Sequence, residues 1–599
     1  MRKDESRRRA PAGMLALVLG ASVVVAGLSV SSAFAKDEVI PVSEVPKVVM
    51  DAALREVPGL VVMEVERESK KDGSWHYELE GVVGDEKFEV EVSAEGVVLD
   101  VELGKANEKD RKTLSEENRR ASADGGFLSP PTPRERAEEL LPRATNKSAA
   151  GGIKVSAAKV HDLPTDESEI VSVASIENGL RTFSVSPAEP CSGGDSRLAV
   201  VDWNESGRAT NERVVELGPG ESTSVAALPG GRGAVVVMKD ARGPNVRPGR
   251  ALLVIDDEVV ASVPVGIGPD SVAVSSDGAL AVIACEASSP DDEDCPAEAD
   301  AADLAGSIHV LALDAERRSL RSAAVISGES MYAKGLKRSV ERAIDARDIE
   351  PEYAAIAPDG SYALVTLQEQ SAVAVVDLRP VRDSAGRGED PRRLGDAALA
   401  QVVLLPHDFE DRRGDKQGVQ PDGIAITADG SMAITANEAH PRARELQGIS
   451  ILDLRGGPGK VRAVATSSVF ALDPTLRTPE RREKKEDSNL PRLDPEGVSI
   501  LEVGDRVVAA IGLERPAPGE PTGSVLFVDV TGALDGRAPT RIARRLAGAN
   551  EGASPEGIVA ISQRGLVVVA CEGDGGTLSW FGVGETLAEP TTARAEANR

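Results

Sequence analysis

The sequence predicts a mostly β chain: a seven-bladed β-propeller preceded by a small α+β domain. Three observations carry this. An apolar strand with an acidic entrance, a turn and a second apolar strand ending near glutamate recurs at 268–286, 350–369, 420–438, 494–514 and 554–572. A third strand ending in aspartate follows at 307–314, 373–378, 449–454 and 524–530, and a fourth is readable at 258–265 and 401–406. Four strands per unit make a propeller blade, and two weaker units at 168–186 and 221–240 bring the count to seven within 151–585. Ahead of them, at 36–104, a helical stripe is followed by four alternating strands.

The first segment reads as an export signal. Arg2, Lys3 and Arg7 to Arg9 are basic, Met14 to Val30 is apolar or small, and Ala33-Phe34-Ala35 is a cleavage motif. This predicts a signal peptide over 1–35 and a periplasmic, secreted or cell-surface protein without a stable membrane span after cleavage; the competing reading is a retained anchor. Five positive and two negative charges leave with it, so the mature chain is more acidic still. The full chain of 599 residues has 69 Lys and Arg against 98 Asp and Glu, a net charge of −29. Such a surface repels phosphate backbones, which excludes nucleic acid as a partner and leaves cations and basic partners open.

In 44–56, Val45, Val48, Val49, Ala52 and Ala53 share a helical stripe, and Pro58-Gly59 ends it. In the strands at 61–68, 76–82, 86–92 and 97–102, Met63, Val65, Tyr77, Leu79, Phe88, Val90, Val92 and Val101 alternate with a row of acids from Glu64 to Glu102. A helix therefore covers one face of a sheet whose other face is carboxylate-rich. The order of helix, PGL and four strands with YELE and FEVEVSAEGVVLD resembles the PepSY-like family of small exported domains. That resemblance implies a binding or inhibitory role and transfers no catalytic residue. Residues 105–150 read as a flexible linker with one short helix near Arg134 to Leu141, and 586–599 as a polar tail.

Within the repeats, PEYAAIAPDGSYALVTLQEQSAVAVVDL, QPDGIAI with TANE, EGVSI with GLER, and SPEGI with CEGDGGTLSWF resemble the choice-of-anchor I family of exported propellers, over 153–583. The resemblance implies a YVTN/WD40-like propeller of a surface or secreted protein, with loose links to alkaline phosphatase or phytase-like activity.

Each unit pairs an acid after the first strand's proline with a glutamate at the second strand's end. These are Asp270 with Glu286, Glu352 with Glu369, Asp422 with Glu438, Glu496 with Glu514, and Glu556 with Glu572. Antiparallel pairing returns both to one rim. Clustered carboxylates repel one another unless cations or donors compensate. The ring is expected to bind calcium, or to pair with Arg515 and backbone amides. Calcium fits oxygen donors better than zinc, since His161, His309, His407 and His440 lack ligand spacing. An acid beside a strand-entry proline can equally serve only the local turn. Arg515 is a candidate clamp for phosphate or carboxylate, or a counter-ion of the rim.

No nucleotide or haem motif is present, Trp75, Trp203 and Trp580 form no repeated quinone dock, and no G-x-S-x-G elbow appears. Among the four cysteines, Cys191 with Cys571 would latch the ring seam and Cys285 with Cys295 would close an acidic loop as disulfides. Residues 315–348 should be helical around Ala333 to Asp345, while 379–397 and 474–493 should be exposed loops. The function expected is a non-enzymatic binding or scaffold protein that recognises a protein, peptide or cation-bridged ligand through the acidic rim; the alternative is a calcium-dependent phosphoesterase using the same carboxylates.

Overall fold

The computed structural model describes residues 38–40, 45–57, 61–69, 75–83, 86–94, 98–105 and 144–145, and 153–587 apart from 189–193, 241–246, 288–304, 337–345, 347–348, 385–388, 406–408, 411–415, 441–442, 478–489 and 585. The signal segment, the linker helix, Cys191, Cys295 and His407 lie outside the described residues. The chain divides into two compact units, Met1–Thr132 and Pro133–Arg599.

The first unit has helix α1, Lys47–Glu56, and a five-stranded antiparallel sheet in chain order. Its strands are β1 (Glu38–Ile40), β2 (Val61–Ser69), β3 (Trp75–Val83), β4 (Glu86–Ser93) and β5 (Val98–Lys105). β1 was not expected; it pairs with β2 through Val39 opposite Glu66. Val49, Ala52 and Ala53 of α1 bury against Val65, Tyr77, Leu79, Val90 and Val92, as the alternation requires. Val48 does not join them: with the helix starting after Pro46, it falls on the outer side and is 48% exposed. Across the sheet, acids stand opposite acids: Glu66, Glu78, Glu91 and Asp100 form one transverse row, and Glu64, Glu80, Glu89 and Glu102 the next. Like charges in register are unfavourable. His76 Nδ1 meets the carboxylate of Glu91 at 2.8 Å.

The second unit is a β-propeller. Six four-stranded antiparallel sheets follow one another along the chain, then a seventh sheet that the N-terminal side of the unit completes. The first strands of the sheets are Val171–Ile176, Ser222–Ala227, Pro269–Val274, Pro351–Ile356, Pro421–Ile426, Pro495–Val503 and Ser554–Ile561. Each touches the first strand of the next sheet, and the seventh touches the first. Apolar clusters fill the successive gaps between sheets; the closing one joins Leu180 and Trp203 of the first sheet to Leu566, Val568 and Trp580 of the seventh. The second strands are buried at nearly every position because neighbouring sheets cover both faces, which is why they read as unbroken apolar runs.

Side chains also tie the innermost strands together. Ser172 Oγ accepts from the amide of Ala227, Ser224 from Val272, Ser271 from Ala354 and Ser499 from Ala560, at 2.9 to 3.3 Å. Where the sequence reads proline, acid, glycine, the glycine has a packing reason. A Cβ on Gly423 would stand 2.2 Å from the carbonyl oxygen of Glu496, and one on Gly497 2.1 Å from that of Glu556.

The outer edge of the seventh sheet is filled from the start of the unit. Thr577–Gly584 pairs with Lys159–Asp162, Leu578 opposite His161 and Trp580 opposite Lys159, and then with Val155. The His161, Trp203 and Trp580 rings stack edge to face at this closure, with centroids 5.1 Å apart.

Two expectations need correction. The segment expected as a loop over 379–397 contains helices Arg379–Ser384 and Pro391–Ala398. Asp390 caps the second by accepting from the Arg392 amide, and Leu394 and Ala398 reach the core beside Val381. In the preceding insertion a helix runs over Gly328–Lys334, capped by Ser327, and most of the helix expected around Ala333 to Asp345 lies outside the described residues. The cysteines are corrected too: Cys285 and Cys571 are free, buried thiols, so neither expected disulfide forms. Each is a core residue between sheets, Cys285 beside Ile283 and Val265, Cys571 beside Val569 and Phe581. Burial pushes the Cys285 thiol up to about 12.

Candidate functional site

The acids that follow the strand-entry prolines owe their direction to a β-bulge. Pro269 pairs with Cys285 and Ser271 with Ala284, which leaves Asp270 without a cross-strand partner. The ladder slips in the same way at Glu352, Asp422, Glu496 and Glu556. A bulge takes one residue out of the in-and-out alternation and re-aims its side chain. Here the repeated bulge turns one carboxylate per sheet away from the packed faces toward the mouth of the ring. The matching position is Glu169 just ahead of the first sheet and Thr223 in the second, where Thr223 Oγ1 donates to the Pro269 carbonyl at 2.6 Å.

The residue after the second strand folds over the same entrance. The amides of Glu286, Glu438 and Glu514 donate to the carbonyls of Gly268, Gln420 and Asp494 at 2.8 to 3.0 Å. Gln420 and Asp494 hold positive φ angles of 45° and 41°, and Ala287 and Ala439 53° and 69°. Non-glycine residues are strained there, and such strain concentrates at functional sites.

This register corrects one pair. In the fourth sheet the amide that returns to the entrance, donating to the Glu350 carbonyl, belongs to Gln368. Glu369 is one residue further on, exposed, and accepts from Gln420 Nε2 at 2.7 Å. Glu572 is exposed as well. The sequence places these two on the rim; the structure leaves them outside the tightest groups. Those groups are Asp270, Glu286 and Glu352, and Asp422, Glu438 and Glu496, in each of which one oxygen per residue lies within 4.8 Å of the others. Either cluster could hold a metal ion.

Burial and crowding set the electrostatics. Desolvation, then repulsion from Glu286, Asp270 and Asp422, raises the Glu352 carboxyl well above its usual range. Asp422, Glu496 and Glu556 are raised likewise, first by burial and then by neighbouring acids, Glu438 foremost for Asp422, Asp422 for Glu496 and Glu169 for Glu556. Asp270 and Glu438 move up to about 7, and Glu169 to about 8. The Tyr353 hydroxyl is raised by burial and by Asp422, Asp270 and Glu556, which places it beside the same mouth.

Three basic residues answer this charge, two arginines together and one lysine apart. Arg515 lies 3.2 Å from Asp494 and 3.4 Å from Glu514, and Arg492 2.6 Å from Asp494. Arg515 is thus a counter-ion of the rim. The lysine is Lys239, whose site role the sequence did not suggest. It occupies in the second sheet the place of Glu286 in the third, with its amide on the Glu221 carbonyl at 2.8 Å and its ammonium 3.8 Å from the Glu221 carboxylate. Burial disfavours its charge, but Glu286, Glu221, Asp270 and Glu169 outweigh that and hold its pKa far above the ordinary value. The signal was available in GAVVVMKD, where lysine stands at the repeat's glutamate position.

Residues 169–383 match the family model described as the choice-of-anchor I domain. The matched span runs from Glu169 past the third strand of the fourth sheet, shorter than the 153–583 expected, and includes the first of the two carboxylate clusters. Among curated proteins, none matches the chain. Among solved structures, the hydrazine synthase of Kuenenia stuttgartiensis is 14% identical over 72% of this chain and 97% of its own, with a TM-score of 0.42. The β-propeller domain of Cps50 (Swd1) from Myceliophteria thermophila is 10% identical over 71% and 99%, at 0.39. The periplasmic gluconolactonase of Pseudomonas aeruginosa is 15% identical over 69% and 96%, at 0.38. Likenesses this distant carry no argument about activity.

Proposed function

We propose that the protein is an exported, non-enzymatic binding protein whose acidic propeller mouth takes a cationic group, either a basic side chain of a protein or peptide or a calcium ion that bridges to a ligand. In this reading the signal peptide is 1–35, a PepSY-like domain spans 36–104, a linker 105–150, and the seven sheets are the seven blades of a propeller over 151–585. Calcium is the ion favoured, because every donor at the mouth is a hard oxygen. The observation that supports the reading is the repeated bulge, which spends an unpaired backbone position in five consecutive sheets to bring Asp270, Glu352, Asp422, Glu496 and Glu556 together. Carboxylates serving only local turns would have no reason to raise one another's pKa across the ring.

The phosphoesterase alternative finds less support, since the cation that would clamp a phosphate, Arg515, is engaged by Asp494 and Glu514. The test is isothermal titration of EDTA-stripped protein with calcium and, separately, with a lysine-rich peptide. Heat of binding to at least one is expected, and absence of both refutes the reading. Calcium-dependent turnover of p-nitrophenyl phosphate would overturn its non-enzymatic part.

A further inference from the structure

The entrances of neighbouring sheets combine by a fixed rule: each seam offers the bulged residue of one sheet, the residue after that sheet's second strand, and the bulged residue of the next sheet. Followed around the ring, the rule gives unequal seams. Between the second and third sheets it gives Thr223, Lys239 and Asp270; between the third and fourth, Asp270, Glu286 and Glu352; between the fourth and fifth, Glu352, Gln368 and Asp422. The fifth and sixth supply Asp422, Glu438 and Glu496; the sixth and seventh supply Glu496, Glu514 and Glu556, where Arg515 already meets Glu514.

Resting on the reading of the mouth as a cation-binding surface, we propose that the seam between the third and fourth sheets is a discrete divalent-cation site formed by Asp270, Glu286 and Glu352, and that Lys239 serves the adjoining seam as a built-in cation. The oxygens of the three carboxylates lie within 4.8 Å of one another, close enough for all three to reach one calcium ion at about 2.4 Å each. Independent of the clustering, Glu352 is only 7% exposed, and among the described residues no hydrogen-bond donor reaches its carboxylate. A carboxylate left with so little accessible surface and no donor is costly, and a shared cation would offset that cost together with the mutual repulsion of the three acids. In the other carboxylate triad no member is as closed off as Glu352: all three are half-buried. The absence of nitrogen and sulfur ligands selects calcium or manganese over zinc. Lys239, with its ammonium held by Glu221 and the field of Asp270 and Glu286, weakens the attraction for an added ion on that side.

The experiment is calcium titration of the full, EDTA-stripped chain, with manganese electron paramagnetic resonance to count bound ions and calorimetry to follow the calcium-induced rise in melting temperature. Glu352→Gln should weaken calcium about 100-fold and abolish the rise, Glu352→Asp about tenfold, and Lys239→Met should tighten binding several-fold, while Asp505→Asn, in the exposed turn at the opposite end of the sixth sheet's first two strands, stays within about threefold of wild type, ligand charge count setting the affinity of such sites. If Glu352→Gln fails to fold, the Glu352→Asp and Lys239→Met changes decide. Calcium binding that survives at Glu352 but is lost in Asp422→Asn overturns this seam while leaving the acidic mouth as a cation binder. Binding of the lysine-rich peptide without any calcium also overturns it. Binding of neither removes the broader reading as well.

Discussion

Glu169 offers a direct measurement of how far the ring is held against its own charge. Burial first, then Glu221, Glu572 and Asp270, raise its carboxyl from 4.5 to about 8, with Lys239 pulling the other way. A folded-state pKa above the unfolded one means the native state binds the extra proton. Stability is therefore lost as pH rises from about 4.5 to about 8, and the full penalty stands above that. A shift of this size corresponds to about 5 kcal/mol at 1.36 kcal/mol per unit, and the water that still reaches this half-buried position reduces it to about 2 kcal/mol through solvent screening. Replacing Glu169 with glutamine removes the charge and keeps the shape. Urea unfolding in EDTA should then show the variant within about 1 kcal/mol of wild type at pH 5 and about 2 kcal/mol more stable at pH 9. A difference independent of pH, or a loss of stability at pH 9, would refute the account of the ring as a set of mutually destabilised acids.

Two further outcomes follow from the packing. Gly497→Ala should cost about 3 kcal/mol, visible as a lowered melting temperature, because its Cβ would meet the Glu556 carbonyl oxygen at 2.1 Å; an unchanged melting temperature would mean that the innermost strands can separate. Cys285, buried with its thiol pushed up to about 12, should resist iodoacetamide at pH 8 until urea is added, as read by peptide mass spectrometry, and rapid native labelling would contradict its burial.

The propeller was legible because its signal is periodic: the same apolar phrase returns with proline and an acid at its entrance, and five such returns outweigh local ambiguity. The acids Asp270, Glu352, Asp422, Glu496 and Glu556 were legible for the same reason. Their convergence depends on a bulge, which leaves no mark in an alternating pattern. Register was the weak point. In VTLQEQ the glutamate seemed the natural equivalent of Glu286, yet backbone pairing assigns that place to Gln368, one residue earlier. Lys239 stands out less in the sequence because the repeat there replaces its glutamate with a base, and the acidic pattern breaks at that position. The helices at Arg379–Ser384 and Pro391–Ala398 were hidden by their arginines and aspartates, which suggested solvent although Val381, Leu394 and Ala398 lie inward. The last strand of the seventh sheet was invisible for a different reason: it is not near that sheet in the sequence.

That closure binds the timing of folding to the order of synthesis. Gly582 donates its amide to Ser156 Oγ across 426 positions, and Arg545 reaches the carbonyl of Val155 across 390. Earlier sheets can assemble from neighbouring segments as they emerge, but the first has no seventh to lean on, and Trp203 and His161 stay uncovered until Trp580 arrives. Loop-closure entropy makes that final step the slowest. A nascent chain is therefore an open arc for most of its manufacture, with an apolar face that a chaperone can hold. A premature stop anywhere before residue 577 would leave the arc without its clasp, however well its earlier sheets were formed.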